Sequence, residues 1–474
     1  MSDGTTTGQD EGTEHVDLLV IGAGSGNTLP HPDHHERRIL VADDAPWFGG
    51  TCLNVGCIPT KMLVHVADLL RDARDGERLG LRDVTGRVDW RAVRDRVFGR
   101  IDEISTSGEE YRRSGEPNIG LVRETVRFVD PRTVRSASGR TIEADRIVVA
   151  VGSRPRALPG APFGAFDGRV HSTDTIMRID ELPRRIAIIG GGVSACEFAA
   201  MFSGFGVEVT QLVRSSLLRG YDTELTDRFT AVARDEWDVR TGVSDPEVTA
   251  HGDVLRVRAG DETVDVDLVL VAAGRVPNTD RLGSREIGLD HHDDGRLVVD
   301  AYQRVLAGGE VVPGLFALGD VDSPHQLKHV ANEEARIVRQ NLFADDADLV
   351  ANTLAPVPHA VFTHPQIAVF GRTLDAARAE GLDAFEVVHE YGWTAWGWAL
   401  EDTTSFVKLV VERGSGALVG AHIMGPDAAI LVQPLVTAAS LGHSVRGLAR
   451  AQYWPHPAAS EVVENALLRA EEEL

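Results

Sequence analysis

The sequence predicts an α/β fold in which two βαβ domains are nested, followed by a third domain of α+β character. The first observation is a continuous apolar run, VDLLVIG, which ends in glycine and is typical of a strand buried on both faces of a parallel sheet. The second is a similar unit, RIAIIGGG, at Arg185–Gly192. The third is a change after about Asp348, where alternating strands and a helical end follow.

Length and charge narrow the possible functions. A chain of 474 residues predicts two to four domains, and its 43% of hydrophobic residues is enough for sizeable cores. The formal net charge of −24 disfavours nucleic acid and anionic membranes, because both repel an acidic surface. Only Lys61, Lys328 and Lys408 are lysines among the 48 basic residues. We interpret this composition as adaptation to a high-salt cytoplasm, with GC-rich codon usage as the alternative source of the arginines.

The N-terminal residues 1–14, MSDGTTTGQDEGTE, predict a disordered acidic tail. They lack the positive and apolar regions of a signal peptide. The sequence has no run of about 18 apolar residues, so we expect no membrane helix. We therefore expect a cytoplasmic protein without a membrane partner.

A glycine-rich turn follows the first strand and contains Gly22, Gly24 and Gly26. Such glycines allow a tight turn and let the backbone approach a pyrophosphate, which is typical of a dinucleotide-binding (Rossmann-like) unit. Asp44, at the end of the second strand, is placed to accept a hydrogen bond from a ribose hydroxyl. The third glycine of the usual spacing is Asn27, and two prolines follow, so we expect the crossover helix to be short or displaced.

The second unit carries a similar turn, with Gly190, Gly192 and then Ala195. An NAD site usually presents a carboxylate at the end of the next strand, where this chain has Val213 and Arg214 with Arg219 nearby. Arginines can pair with a 2′-phosphate, so the pattern favours NADPH over NADH. A solvated surface charge is the alternative interpretation.

Two cysteines, Cys52 and Cys57, lie in the segment GGTCLNVGCIPTK. The third, Cys196, lies in the second glycine motif, and no neighbouring histidines complete a metal site, so we expect no metal. A pair of inert core thiols is possible, but a reversible disulfide explains the spacing better.

This segment resembles the active site of the class I pyridine nucleotide-disulfide oxidoreductases, a family of FAD enzymes. LFALGDV, with Asp320, resembles the family's second FAD motif, and FTHPQIAVFG resembles the start of its dimer-interface domain. The C-terminal HPAASE, with His456 and Glu461, resembles the family's HP motif. The resemblance covers nearly the whole chain and implies a homodimer with shared active sites.

The resemblance also implies a relay in which electrons pass from NADPH through FAD to a Cys52–Cys57 disulfide. Cys52 corresponds to the interchange thiol and Cys57 to the thiolate next to the flavin. His456 of the partner subunit corresponds to the acid/base, oriented by Glu461.

Further residues are assigned by the same resemblance. Lys61 and Glu197 match an ion pair near the flavin. The residues expected to contact FAD are Gly22, Gly24, Gly26, Asp44, Gly50, Thr51, Lys61, Gly152 and Asp320. Those expected to contact NADPH are Gly190, Gly192, Glu197, Arg214, Arg219 and Gly274.

The predicted domains follow from these motifs. After the tail (1–14) we expect an FAD-binding domain in two parts (15–155 and 276–347), an NADPH-binding domain between them (156–275) and a dimer-interface domain (348–474).

The substrate is narrowed by residues that this chain lacks. No cysteine occurs near its C-terminal ENALLRAEEEL, which disfavours mercuric reductases and large thioredoxin reductases. Trp454 stands where dihydrolipoyl dehydrogenases usually have a histidine, although that activity remains an alternative. Four segments resemble mycothione reductase most: Val97–Ile119, His171–Pro183, Leu327–Val338 and Gln452–Leu468.

The acidic composition favours a close relative of that enzyme, bis-γ-glutamylcystine reductase, because a halophile is expected to use γ-glutamylcysteine. We therefore predict an NADPH-dependent reductase of a low-molecular-weight disulfide, with bis-γ-glutamylcystine slightly favoured over mycothione. A non-catalytic flavin-binding module with a structural disulfide is the alternative from another class. Candidate cations for substrate carboxylates are His31, His34, His35, Arg37, Arg38, Arg112 and Arg113.

Overall fold

The computed structural model describes residues 12–84, 86–353 and 356–474 and divides the chain into two compact units. The first unit comprises the described residues of Met1–Pro59, Asp95–Pro155 and Arg275–Thr353. The second comprises those of Thr60–Arg94, Arg156–Gly274 and Leu354–Leu474. Each unit is therefore assembled from three separate stretches of sequence. The predicted domain names and boundaries stay predictions.

The first unit is built on an eight-stranded sheet. Its strands occur in the order Arg304–Ala307, Glu310–Ala317, Thr141–Val149, Glu14–Ile21, Ile39–Ala42 and Ile119–Val122, with Val126–Asp130 and Thr133–Ser136 attached at the side. The first strand pairs in parallel with both neighbours, and Val20 lies opposite Val41 and Val148. Leu18 and Val20 pack in one apolar cluster while Leu19 and Ile21 pack in another. The sheet is thus buried on both faces, as the apolar run predicts.

Helices connect these strands, and two of them continue into the second unit. They are Gly50–Asn54, Cys57–Asp75, Trp90–Ser114 and Lys328–Asn341, with short 3₁₀ turns at Ser25–Thr28, Pro32–His34, Asn278–Arg281 and Asp346–Asp348. A two-stranded ribbon pairs Ser153–Pro155 with Arg275–Pro277. The first crossover contains only 3₁₀ turns, which agrees with the short or displaced helix expected from its prolines.

The predicted tail needs a correction at its end. Residues 1–11 lie outside the described part of the chain. Glu14, however, is the first residue of a strand, and its carboxylate pairs with Arg38 and Arg140. These ion pairs and the strand hydrogen bonds hold Glu14 in the fold.

The second unit contains a parallel five-stranded sheet and an antiparallel three-stranded sheet. The parallel strands occur in the order Asp238–Thr241, Glu208–Val213, Arg185–Ile189, Leu268–Val271 and Val170–Ser172. The antiparallel strands are Glu247–His251, Val254–Ala259 and Glu262–Val266. The accompanying helices are Ala165–Gly168, Val193–Gly204 and Thr223–Glu236, with a 3₁₀ turn at Ile176–Arg178.

The C-terminal part of the second unit is a five-stranded antiparallel sheet with helices. Its strands occur in the order His359–Val361, Ile367–Gly371, Leu418–Met424, Phe406–Glu412 and Ala384–Glu390. Its helices are Leu374–Ala379, Ala395–Leu400, Ala428–Ser440 and Glu461–Glu472, with 3₁₀ turns at Tyr391–Trp393 and Ala449–Ala451. The predicted α/β class with an α+β C-terminal part is confirmed.

One helical stretch, Gly50–Asp75, is long and apolar enough to cross a membrane by length and composition alone. Core helices of globular domains pass the same test. This stretch carries both predicted redox cysteines, and it also carries Arg71, whose side chain is only 2% exposed and ion-paired to Glu236. One such helix does not establish a membrane span.

Candidate redox site

The first glycine turn fits a dinucleotide phosphate. Gly22 has φ +108°, and a Cβ on it would lie 2.3 Å from the Ala150 carbonyl oxygen. A Cβ on Gly26 would lie 2.8 Å from the Ala150 Cβ. A Cβ on Gly24 would have one neighbour within 4 Å, the Gly50 Cα at 3.9 Å. Packing inside the protein therefore does not explain why this position is glycine. That free space suits close approach of a ligand to the backbone.

Two neighbouring carboxylates after the second strand have different surroundings. Asp43 is buried and accepts a hydrogen bond from the Ala23 amide at 2.8 Å, while Arg123 contacts its other oxygen at 2.7 Å. Burial raises the pKa of Asp43. Asp44 is exposed, and its carboxylate accepts a hydrogen bond from the Thr125 hydroxyl. Asp44 is therefore the accessible carboxylate, whereas Asp43 ties the glycine turn to the strand end, a role that the sequence analysis missed.

Asp320 follows the last parallel strand of the first sheet and is half-buried. Its Oδ2 accepts a hydrogen bond from the Ser153 hydroxyl at 2.6 Å, and Arg275 donates to the same hydroxyl at 2.7 Å. Gly152 precedes Ser153 with φ +64°. These contacts fix the carboxylate position but do not test the ribityl contact predicted for Asp320.

The cysteine pair lies at the junction of two helices. Cys52 is on the short helix Gly50–Asn54, and Cys57 is the first residue of Cys57–Asp75. None of the chain's three cysteines, all of which are described, is in a disulfide. A hydrogen bond with Cys57, followed by burial, raises the pKa of Cys52, while the positive charge of Lys328 acts in the opposite direction. The structure therefore places the two predicted redox cysteines near each other, on consecutive helices that end and begin between them.

The backbone next to the cysteines packs closely on the glycine turn. Gly50 has φ +81°, and a Cβ on it would lie 2.5 Å from the Gly24 Cα. Thr51 is exposed. The side-chain amide of Asn54 donates hydrogen bonds to the Phe48 carbonyl at 2.8 Å and to the Gly50 carbonyl at 3.0 Å. These bonds hold the segment in place.

Lys61 and Glu197 form an ion pair within the second unit. The Lys61 Nζ lies 2.9 Å from Oε1 and 2.8 Å from Oε2 of Glu197. Glu197 Oε1 also accepts from the Phe362 amide at 2.9 Å, and the ammonium lies 4.6 Å from the centroid of the Phe362 ring. The structure brings together the two residues that the sequence analysis paired.

The second glycine turn precedes the twelve-residue helix Val193–Gly204. Gly190 has φ +141°, and a Cβ on it would lie 2.3 Å from the Ala272 carbonyl oxygen. A Cβ on Gly192 would meet nothing within 4 Å. An open glycine at the start of a helix suits an approaching pyrophosphate, so this turn also fits a dinucleotide.

The side chains predicted to select NADPH lie beyond the strand Glu208–Val213. Arg214 and Arg219 are both exposed, and Val213 is buried. Gly274 has φ +104° and is also exposed. Cys196 is fully buried, which raises its pKa to about 12 and makes it unsuitable as a nucleophile.

His456 and Glu461 meet near the C-terminus. The His456 Nδ1 lies 2.8 Å from Glu461 Oε1, and the Ala458 amide donates to Oε2 at 3.2 Å. The histidine side chain is 70% exposed, whereas that of Glu461 is 16% exposed. The carboxylate can thus orient an imidazole whose other nitrogen is open to a ligand or another chain.

The candidate substrate cations are engaged locally. Arg112 donates to the Asn27 side chain at 2.7 Å and to its carbonyl at 2.8 Å, so it braces the irregular glycine turn. Arg113 pairs with Glu109, and Arg38 pairs with Glu14. The remaining contacts are Arg37 with Asp17 and Phe343, His31 with Asp33, His34 with Phe343, and His35 with the Pro32 carbonyl. Arg112 in particular is better explained as a structural residue than as a substrate ligand.

Sequence comparison identifies the family. Residues 16–335 match the family Pyridine nucleotide-disulphide oxidoreductase, and residues 357–467 match its dimerisation domain. The mycothione reductase of Mycobacterium tuberculosis is 47% identical over 466 residues, covering 96% of this chain and 99% of that protein. The dihydrolipoyl dehydrogenase of Haloferax volcanii is 33% identical, covering 96% and 97%.

Among solved structures, the HOCl-induced flavoprotein disulfide reductase RclA from Escherichia coli has the same fold, with a TM-score of 0.82 at 24% identity, covering 95% of this chain and 99% of that one. The family match spans most of the chain and implies a flavin and a pyridine nucleotide, for which both glycine turns have suitable geometry. The chain therefore belongs to the pyridine nucleotide-disulfide oxidoreductases and is a disulfide reductase of that family.

Proposed function

We propose that this protein is an NADPH-dependent flavoprotein that reduces a low-molecular-weight disulfide through Cys52 and Cys57. The observation that carries the proposal is the placement of these two cysteines on consecutive helices, the first of which begins at Gly50 and packs on Gly24 of the first glycine turn. Bound FAD and NADPH would supply the two electrons that reduce the pair.

Cys52 and Cys57 are the two nucleophiles of the proposed thiol–disulfide exchange. The Cys52 thiolate attacks one sulfur of the substrate disulfide, forming a mixed disulfide and releasing one thiolate. Cys57, as a thiolate, then attacks the Cys52 sulfur, which releases the second substrate thiolate and forms the Cys52–Cys57 bond. Two protons convert the released thiolates to thiols, so each cycle consumes two electrons and two protons.

His456 is our proposed proton donor for the leaving thiolate, acting in the site of the partner subunit. Its contact with Glu461 leaves Nε2 as the nitrogen that can face a substrate. The match to a dimerisation domain supports a homodimer, and the shared active site is part of this proposal.

The cofactor residues are proposed from their positions in the matched motifs. For FAD they are Gly22, Gly24, Gly26, Asp44, Gly50, Thr51, Lys61, Gly152 and Asp320. For NADPH they are Gly190, Gly192, Glu197, Arg214, Arg219 and Gly274. The two exposed arginines are the reason for proposing NADPH rather than NADH, because a guanidinium pairs well with a 2′-phosphate.

Two substrates are supported by different observations. The 47% identity to mycothione reductase supports mycothione. The net charge of −24 and the three lysines are typical of a high-salt cytoplasm, which supports bis-γ-glutamylcystine. We retain a slight preference for bis-γ-glutamylcystine.

Steady-state assays with each disulfide decide between these substrates. The purified protein is supplied with NADPH or NADH and with bis-γ-glutamylcystine, mycothione, glutathione disulfide or lipoamide, at low and high KCl. We expect the largest kcat/KM with NADPH and one of the first two disulfides. Efficient turnover of lipoamide with the NAD couple alone would instead identify a dihydrolipoyl dehydrogenase.

Spectroscopy tests the non-catalytic alternative. Two-electron reduction of the flavoprotein should produce a long-wavelength absorbance band from a Cys57 thiolate next to the flavin. A structural disulfide that takes no part in catalysis produces no such band.

A further inference from the structure

We propose that Gln211 is a positioning residue that orients the second glycine turn toward the pyrophosphate of a pyridine nucleotide. Gln211 lies on the strand Glu208–Val213 and is fully buried. Its Nε2 donates a hydrogen bond to the Gly190 carbonyl at 3.0 Å. Gln211 belongs to none of the motifs that place the chain in its family, and the inference rests on the proposed binding of NADPH at this turn.

Burial alone does not explain a glutamine at this position. The strand pairs in parallel with a neighbour on each side, and Val209, Leu212 and Val213 are buried with Gln211. Burying an amide costs free energy unless its polar atoms have hydrogen-bond partners. A polar residue in the middle of a buried apolar strand is a departure from the local pattern, and such departures are expected at functional sites.

Trp237 fixes the orientation of the Gln211 amide. The indole Nε1 of Trp237 donates a hydrogen bond to Gln211 Oε1 at 2.9 Å. Because an indole N–H can only donate, the oxygen of the amide must face Trp237 and the NH₂ group must face the Gly190 carbonyl. The same nitrogen also lies 3.8 Å from the Cys196 sulfur, which is a weaker acceptor. The hydrogen bonds from Trp237 through Gln211 to Gly190 therefore run in one direction.

The hydrogen bond to Gly190 sets the direction of the next backbone amide. In a trans peptide the carbonyl and the following N–H point in opposite directions. Holding the Gly190 carbonyl against the strand therefore turns the Gly191 N–H away from the strand. The Gly191 carbonyl accepts from the Leu218 amide at 2.7 Å, which fixes the peptide plane that carries the Gly192 N–H. The helix begins at the next residue, and N–H groups at this point of a Rossmann-like turn are the donors that bind a pyrophosphate.

The test compares nucleotide binding by the oxidised full-length flavoprotein and its variants. Isothermal titration calorimetry measures the Kd of NADP⁺, of NAD⁺ and of adenosine 2′-monophosphate, which carries the 2′-phosphate but no pyrophosphate. Gln211→Met keeps the length of the side chain and removes its hydrogen bonds. Trp237→Phe keeps Gln211 but removes the donor that orients it. Thr210→Val is the control, because it removes a hydroxyl of the same strand that bonds to Asp238.

We expect Gln211→Met to raise the Kd of NADP⁺ and of NAD⁺ by about 3- to 10-fold, the equivalent of one net hydrogen bond. The Kd of adenosine 2′-monophosphate should change by less than about twofold, because this ligand lacks the pyrophosphate. Trp237→Phe should show the same pattern with a smaller increase, and Thr210→Val should match the parent. If Gln211→Met does not fold, Gln211→Leu takes its place beside Trp237→Phe.

An unchanged Kd of NADP⁺ in Gln211→Met overturns the proposal. An equal increase in the Kd of adenosine 2′-monophosphate also overturns it, because that result indicates a general loss of structure around the strand. Binding is measured without a disulfide substrate, so absence of reductase activity would refute the proposed function and leave this test unaffected. A parent that prefers NAD⁺ would contradict only the proposed nucleotide, since both nucleotides contain the pyrophosphate.

Discussion

The ammonium of Lys61 contacts both carboxylate oxygens of Glu197, at 2.9 and 2.8 Å. The glutamate side chain is 7% exposed, so its charge depends on this lysine and on the Phe362 amide. Removal of the lysine leaves a buried carboxylate with one remaining donor in the described structure.

Lys61→Met should therefore lower the free energy of unfolding by about 1–2 kcal/mol. This is below the roughly 3–5 kcal/mol for a fully buried pair, because Lys61 is 33% exposed and solvent screens its charge. Chemical denaturation at pH 7 provides the measurement. Lys61→Met/Glu197→Gln should recover part of the loss, and Lys61→Arg is the charge-conserving control. Unchanged stability of Lys61→Met would show that the pair contributes nothing.

Cys52→Ser should abolish disulfide reduction while leaving FAD bound. The serine hydroxyl cannot replace the thiolate as the nucleophile that attacks a disulfide. The glycine turn and the Asn54 hydrogen bonds that shape the segment remain, so FAD binding should persist. NADPH-dependent disulfide reduction and flavin absorbance give the two readouts. Cys196→Ser, which alters a buried thiol, is the matched control and should retain activity. Substantial activity in Cys52→Ser would refute the relay.

His456→Ala should reduce kcat by about 10²- to 10⁴-fold, the usual range for loss of a general acid or base. Glu461→Gln should have a smaller effect, because the amide can still accept a hydrogen bond from the imidazole. The control is His443→Ala, which removes another exposed histidine of the same unit. Steady-state kinetics on the three variants, with flavin content measured in parallel, checks the expectation. A wild-type kcat in His456→Ala would exclude His456 as the proton donor.

Arg214→Ala and Arg219→Ala should each raise the KM for NADPH by about 10- to 100-fold, the equivalent of a charge-assisted hydrogen bond. NADH lacks the 2′-phosphate, so its KM should change little and serves as the internal control. Parallel increases for both nucleotides would instead indicate a structural role for the arginines.

Acid should weaken the fold partly through His389. Burial, followed by the charge of Arg469, lowers the pKa of His389 to about 4. Between pH 6.5 and 4 the unfolded chain binds a proton at this position that the folded chain does not, so the stability contributed by neutral His389 is complete above pH 6.5 and falls as the pH decreases. The loss should reach up to about 3 kcal/mol.

The pH dependence of the melting temperature tests this expectation. His389→Gln should flatten the decrease in Tm between pH 6.5 and 4.5, whereas His443→Gln should follow the wild type. An equally steep decrease in His389→Gln would show that other groups, such as the buried carboxylates, dominate acid sensitivity.

Local patterns predicted a large part of this molecule. The buried strand Glu14–Ile21 is apparent as an apolar run. The turns at Gly22 and Gly190 need glycine because a Cβ there would lie 2.3 Å from a carbonyl oxygen, that of Ala150 and that of Ala272 respectively. The prolines after Asn27 predicted an irregular crossover, which the structure has as 3₁₀ turns. The residue types that mark these features stand at short, regular spacings and are therefore visible in the sequence, although the backbone that Gly22 and Gly190 approach is distant along the chain.

Other relationships join residues far apart in the chain. Asp43 rather than Asp44 holds the glycine turn, although the two adjacent carboxylates look equivalent in sequence. Arg112 donates a hydrogen bond to Asn27, which is 85 residues away in the sequence. A residue predicted to bind the substrate therefore stabilises the fold instead. Burial and hydrogen-bond partners make these distinctions, and neither is encoded by local spacing.

The sequence by itself determined the strand-and-glycine framework, the cysteine pair and the motifs that place the chain in its family, because each depends on residue types at short, regular spacings. Only the tertiary structure decided which charges are paired. Of the three lysines, Lys61 and Lys408 meet carboxylates, whereas Lys328 meets a hydroxyl beside the cysteine segment. The physical reason is that charge pairing acts through space over a few ångströms, between groups far apart in the sequence: 136 residues separate Lys61 from Glu197, and 186 separate Lys408 from Asp222.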